Sequence, residues 1–139
     1  HMNIVFDNNP NQEDVKFLEQ KLMQHNCAQI ENYSYDNFII KILDDSESIV
    51  AGINGQIGGG WLYIESLWVQ TNARGKGYGG RLLKMAEDTA LENNCVGVYL
   101  FTYSFQNPEF YKKYGYSVFG AIDNFCTKHF KYYLKKKLV

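Results

Sequence analysis

The stretch from Leu62 to Asn93 limits the folds open to this chain more than any other. Tyr63-Ile64-Glu65-Ser66-Leu67-Trp68-Val69 is short and rich in β-branched and aromatic residues, which predicts a strand. Thr71-Asn72-Ala73 breaks it. From Gly79 to about Asn93, Leu82, Leu83, Ala86 and Ala90 recur at spacings of three and four, one face of a helix. Between strand and helix lies Arg74-Gly75-Lys76-Gly77-Tyr78-Gly79. Glycines let a backbone approach a ligand closely, and a helix start leaves N–H groups without internal partners. With Arg74 and Lys76 adding charge, strand, turn and helix together suit an anion such as a phosphate. The competing reading is a tight structural connection. The spacing fits neither a P-loop nor a dinucleotide fingerprint.

A strand over Val96–Thr102 follows the helix, so the two strands are expected to be parallel with a right-handed crossover. Upstream, Asn3–Phe6 reads as a first short strand. Asn11 or Asn8 caps a helix from about Gln12 to His25, on Val15, Leu18, Leu22 and Met23. Cys27–Tyr35 is irregular and holds a turn or a short helix. Phe38–Leu43 is a strand, joined through polar Asp44–Ser48 to a second beginning at Ile49. Asn54-Gly55 is a turn signal inside that second strand. A strand bulged or kinked there, running through Ile57 and turning at Gly58–Gly60, feeds Trp61 and the central strand directly. Pro108 suits the first turn of a short helix ending at Gly115. Tyr116–Ala121 and Phe130–Lys137 read as two further, antiparallel strands.

At 139 residues the chain is expected to be one domain spanning 2–139, with His1-Met2 as a cloning remnant. A net charge of −1 argues against broad attraction to nucleic acid. Lys135-Lys136-Lys137 reads as a solvated chain end. Cys27, Cys95 and Cys126 are odd in number and lack zinc-like spacing, which predicts reduced thiols and no metal. No apolar run approaches the ~18 residues of a membrane span, so a cytoplasmic protein without membrane or nucleic-acid partners is expected.

Arg74-x-x-Gly77-x-Gly79 resembles the pyrophosphate loop of the GNAT superfamily of acyl-CoA N-acetyltransferases. Leu67-Trp68-Val69 precedes it as that family's central strand does. Asn107-Pro108-Glu109-Phe110-Tyr111-Lys112-Lys113-Tyr114-Gly115-Tyr116 is similar to the family's downstream segment. The resemblance covers Leu62 to Tyr116. It implies a three-layer α/β fold: a mixed, mostly antiparallel sheet with a splayed parallel central pair and helices on both faces.

It also implies acetyl-CoA as donor. The backbone near Leu67, Trp68 and Val69 would pair with the pantetheine arm, as in strand addition. The N–H groups of Arg74, Gly75, Lys76, Gly77, Tyr78 and Gly79 would face the pyrophosphate, and Asn107 would touch the arm or merely cap the helix beside Pro108. The spacing from Asn107 to Tyr111 is shorter than the commoner family pattern. Tyr111 matches the general acid. Glu65 is the first choice for base and competes with the reading of a solvated strand carboxylate. His129 is the second, in an ending (His129-Phe130-Lys131-Tyr132-Tyr133-Leu134) that looks like that of one group of small GNAT proteins. The expected reaction is acetyl transfer to the primary amine of a small molecule by direct attack. A protein lysine or N-terminal acetyltransferase, or a non-catalytic acyl-CoA-binding module, are the alternatives. The acceptor is not read from the sequence, and a homodimer stands open beside a monomer.

Overall fold

The computed structural model describes residues 2–30 and 34–139. It divides into two compact units, His1–Ser34 and Tyr35–Val139. The first holds helix α1 (Gln12–Gln29), whose N-cap Asn11 accepts from the Glu13 amide at 2.8 Å. Glu13 and Asp14 in the first turn complement the helix dipole. Residues 3–6 form no strand. Ile4, Val5 and Phe6 have strand propensity, but a strand also needs a ladder partner, which local sequence does not reveal. The irregular stretch expected over Cys27–Tyr35 instead continues α1 through Gln29 and enters a strand at Tyr35; its central part, 31–33, lies outside the described residues.

The second unit is built on a six-stranded mixed sheet. Its strands are β1 (Tyr35–Leu43), β2 (Ile49–Gly58), β3 (Trp61–Val69), β4 (Gly97–Tyr103), β5 (Ser117–Phe125) and β6 (His129–Lys137). The order is β1-β2-β3-β4-β6-β5, and every neighbouring pair is antiparallel except β3–β4. The crossover between those two is helix α2 (Tyr78–Glu92). It buries Leu82, Leu83, Ala86 and Ala90 against Ala51, Ile53, Leu62, Ile64, Val98, Leu100 and Leu134 of the sheet. A short helix, α3 (Pro108–Lys113), adds Phe110 and Tyr111 to the margin of this core.

Two irregularities shape the middle of the sheet. The β2–β3 register pairs Asn54 with Ser66 but Gly55 with Ile64, leaving Glu65 as an extra residue on β3. Gly55 permits this, because any Cβ there would collide with the Tyr63 carbonyl. The extra residue reverses the in–out parity of the strand: Leu62 and Ile64 are buried before it, whereas Leu67 and Val69 turn to the core after it. The parallel β3–β4 pairing runs from Trp61/Gly97 to Ile64/Leu100 and stops at the same point. Beyond it the strands part.

A buried polar cluster ties α2 to the far end of the sheet. Glu87, only 7% exposed, accepts from the Tyr116 hydroxyl at 2.8 Å and from the Lys136 ammonium at 3.1 and 3.2 Å. Lys136 is therefore not part of a solvated tail. Strand alternation turns it inward while Lys135 and Lys137 stay exposed. Burial, then the adjoining Glu87 carboxylate, holds the Tyr116 phenol far above its ordinary range.

Candidate acetyl-donor and acceptor cleft

Where β3 and β4 separate, a cleft of about 900 Å³ opens, and most of the residues singled out in the sequence line it. Glu65, Leu67, Trp68 and Val69 form one wall, Phe101, Phe105 and Asn107 another, and the glycine turn with Tyr78 closes one end. Tyr111 enters from α3. Lys76 and His129 do not line it. His129 sits behind the wall, with its ring edge-on to Phe105 and its Nδ1 3.5 Å from the Ser104 hydroxyl.

The glycine turn is a run of unpartnered donors. A 3-10 turn at Thr71–Ala73 uses the Arg74 N–H, which donates to the Thr71 carbonyl at 3.3 Å. Arg74 thus adds no backbone donor to the loop, contrary to expectation; its side-chain Nε instead ties down the Val69 carbonyl at 3.0 Å. From Gly75 onward the pattern changes. The N–H groups of Gly75, Lys76, Gly77, Tyr78, Gly79 and Gly80 find no acceptor among the described residues, and the α2 N-terminus has no side-chain cap. Gly75 and Gly77 both have φ of 80°, a left-handed conformation that folds successive N–H groups toward a common point. Gly80 was not singled out by the sequence reading. It belongs to the run, and a Cβ there would strike Tyr114 of the α3 terminus.

The parted strands add backbone groups of the same kind. From Ser66 to Val69, β3 pairs with β2 alone, and the bulged Glu65 pairs with neither neighbour, so the β4-facing edge from Glu65 onward carries no ladder hydrogen bonds. Across the gap, Gln106 reaches back to accept from the Tyr103 amide and the Thr102 hydroxyl, at 3.0 and 2.9 Å. Asn107 caps α3, its side-chain oxygen accepting from the Phe110 amide at 3.3 Å. The capping role is the one observed; its amide nitrogen has no partner among the described residues.

Tyr111 has a fixed ring and an open hydroxyl. Its ring meets those of Phe110 and Tyr116 edge-on at 5.1 and 6.0 Å, and its carbonyl accepts from the Tyr116 amide at 3.1 Å. The hydroxyl has no hydrogen-bond partner among the described residues, and no unsatisfied buried side-chain oxygen exists there, so it opens on the cleft. Burial pushes this phenol up to about 12. Glu65 stands exposed at the opposite wall, where the bulge places it.

These residues fit an extended ligand with a polyanionic end: a run of N–H donors without acceptors at a helix N-terminus, all but Lys76 on residues lining the cleft, then an unpaired strand edge. The sequence profile of the acetyltransferase (GNAT) family matches residues 5–116. The chain belongs to the GNAT acetyltransferases. Members of the family use acetyl-CoA as donor, the kind of ligand the donor run and the strand edge suit. An acetyltransferase of Agrobacterium fabrum is 31% identical over 121 residues, 87% of this chain and 88% of the relative. The blasticidin-S acetyltransferase of Streptomyces morookaense is 35% identical over 91 residues, 65% of this chain and 67% of that enzyme. An acetyltransferase of Bacillus cereus, 28% identical, superposes with a TM-score of 0.86 over 96% of this chain and 98% of its own. Among the described residues, no helix of this GNAT protein is long and apolar enough to cross a membrane.

Proposed function

We propose that this GNAT protein is an N-acetyltransferase that acetylates the primary amine of a small molecule by direct attack, with no covalent enzyme intermediate. One observation carries this reading: the β3 bulge puts Glu65 in the same cleft as the Tyr111 hydroxyl and the Gly75–Gly80 donor run. Similarity to a blasticidin-S acetyltransferase supports a small-molecule acceptor.

Acetyl-CoA supplies an acetyl group activated as a thioester. The N–H groups from Gly75 to Gly80 hold its pyrophosphate, and the β3 edge from Glu65 to Val69 aligns its arm. A primary amine with pKa near ~10 is neutral in about one molecule per thousand at pH 7, so a base must take its proton. Glu65 takes it, directly or through a water. His129, the second candidate, reaches the amine only through solvent, because neither it nor its neighbour Ser104 lines the cleft. Tyr111 keeps its proton throughout the neutral range. Against a thiol of ordinary pKa ~8.5, complete transfer from a phenol near 12 is uphill by about 5 kcal/mol. Tyr111 therefore acts chiefly as a hydrogen-bond donor to the charge that develops on the leaving group.

Incubating amines, aminoglycosides and peptides with acetyl-CoA, and following free thiol and acetylated product, tests the reading. Glu65→Gln should lower turnover by about 10²–10⁴ and leave acetyl-CoA affinity unchanged. Unaltered turnover in that variant, with chemistry rate-limiting, removes Glu65 as base.

A further inference from the structure

Next to the cleft, on the aromatic face that shares Phe101 with its wall, stands a charge that the proposed reaction does not use. Tyr63, Tyr99, Phe101, Tyr103 and Tyr133 form a tiled aromatic surface on one face of the sheet, with neighbouring ring centroids 4.9–6.5 Å apart. Phe101 belongs both to that surface and to the cleft wall, at the level where β3 and β4 part. Lys131 is paired in register with Tyr103 on β6, the strand beyond β4. Its side chain runs back across β4, setting the ammonium 4.0 Å from the Phe101 ring centroid and 5.4 Å from that of Tyr133.

Lys131 is half-buried and has no carboxylate partner among the described residues. The ion pairs seen there belong to Lys84, Lys112 and Lys136. A cation drawn partly out of water without a counter-ion is held by ring quadrupoles alone. It remains able to receive an anion. The nearest acidic group of the cleft is Glu65, one residue past the last parallel pair on β3, and its charge is felt at Tyr63 in the same aromatic surface. Glu65 and Phe101 thus line one cleft, and the Lys131 ammonium lies over the Phe101 ring.

Resting on the N-acetyltransferase reading, we propose that Lys131 binds a carboxylate of the acceptor, so that the substrates are amines that also carry a carboxylate. The amine lies toward Glu65, the carboxylate lies toward Lys131, and the connecting carbons cross Phe101. An acceptor of opposite pattern, a polyamine, would meet repulsion at Lys131.

The test uses matched pairs: ω-amino acids of two to six carbons and their carboxamides, which differ in one charge. With acetyl-CoA saturating, kcat/KM should favour the carboxylate partner at least tenfold for one or more chain lengths. Lys131→Met should erase that preference by slowing the carboxylate partners while the carboxamides keep their rates; Lys131→Arg should retain it. An equal loss on both members of a pair, or a preference that survives Lys131→Met, overturns the inference. So does a wild-type protein with no preference at any length, which needs no variant to fold. Acetylation of carboxamides and alkylamines without the preference leaves the N-acetyltransferase reading standing and removes only Lys131. A panel in which no amine is acetylated removes both.

Discussion

Lys136→Met separates the charge of the buried cluster from its packing, since methionine keeps most of the stem that passes Gly115. The variant leaves the Glu87 carboxylate, with 9% of its side chain exposed, hydrogen-bonded among the described residues only to the neutral Tyr116 hydroxyl. Removing one partner of a fully buried pair costs about 3–5 kcal/mol, because the remaining charge is stranded away from water. The Lys136 side chain is 28% exposed, so solvent reaches part of the vacated space. An expected loss of about 2–3 kcal/mol follows. For a chain of this size that lowers the melting temperature by roughly 7–10 °C. Adding Glu87→Gln to Lys136→Met should recover much of the loss, since a neutral amide still accepts from Tyr116. Denaturant unfolding and calorimetry of the wild type, both single variants and the double variant measure the coupling. A Lys136→Met protein that melts within about 2 °C of wild type, or a double variant no more stable than Lys136→Met, refutes the reasoning.

Gly77→Val puts a β-branched residue at φ 80°, where a Cβ meets no neighbour, so strain rather than collision distorts the loop. Acetyl-CoA affinity measured by calorimetry should fall at least tenfold while the protein stays folded; unchanged affinity would remove the Gly75–Gly80 run as donor site. Tyr111→Phe should preserve folding and acetyl-CoA affinity and reduce turnover about tenfold or more, and wild-type turnover with rate-limiting chemistry would count against the hydroxyl. Folding raises the Tyr111 phenol from 10.0 to about 12, so the native state holds that proton more tightly than the unfolded chain. The associated stability, about 3 kcal/mol, is complete below pH 10 and is lost as pH rises from 10 to 12. Urea midpoints between those pH values should fall less steeply in Tyr111→Phe than in wild type.

The glycine turn and the β3–α2–β4 crossover were readable from local sequence, because they rest on glycine conformation and helical spacing; the irregularity expected at Asn54-Gly55 is there as a register break, but its extra residue is Glu65 on the facing strand β3. The first strand over Asn3–Phe6 was misread because pairing depends on partners far along the chain. Lys136 was misread for a related reason. In sequence it is the middle of three lysines, and only the alternation with buried Leu134, together with Glu87 forty-nine residues upstream, marks it as inward. Arg74 taught something narrower. Its N–H is consumed by a 3-10 turn that no spacing rule announces, and the donor run shifts by one residue at its start to include Gly80 at its end. Tyr114, whose position in the sequence signals no role, lines the cleft and bears on Gly80.

The two halves of the cleft are written in different materials. On the donor side the recognition elements are peptide N–H groups and an unpaired strand edge, for which side-chain identity matters only where glycine is needed. On the acceptor side proposed above they are side chains: Glu65, Phe101 and Phe105 of the cleft wall, with Lys131 over the Phe101 ring. Substitutions can therefore remodel acceptor choice one residue at a time while the donor site, carried by the main chain, stays whole. A scaffold of this kind is open to diversification by point mutation. Its acceptors can diverge among relatives whose backbones still superpose, as the 28% identity and 0.86 TM-score with the Bacillus cereus acetyltransferase illustrate for the backbone.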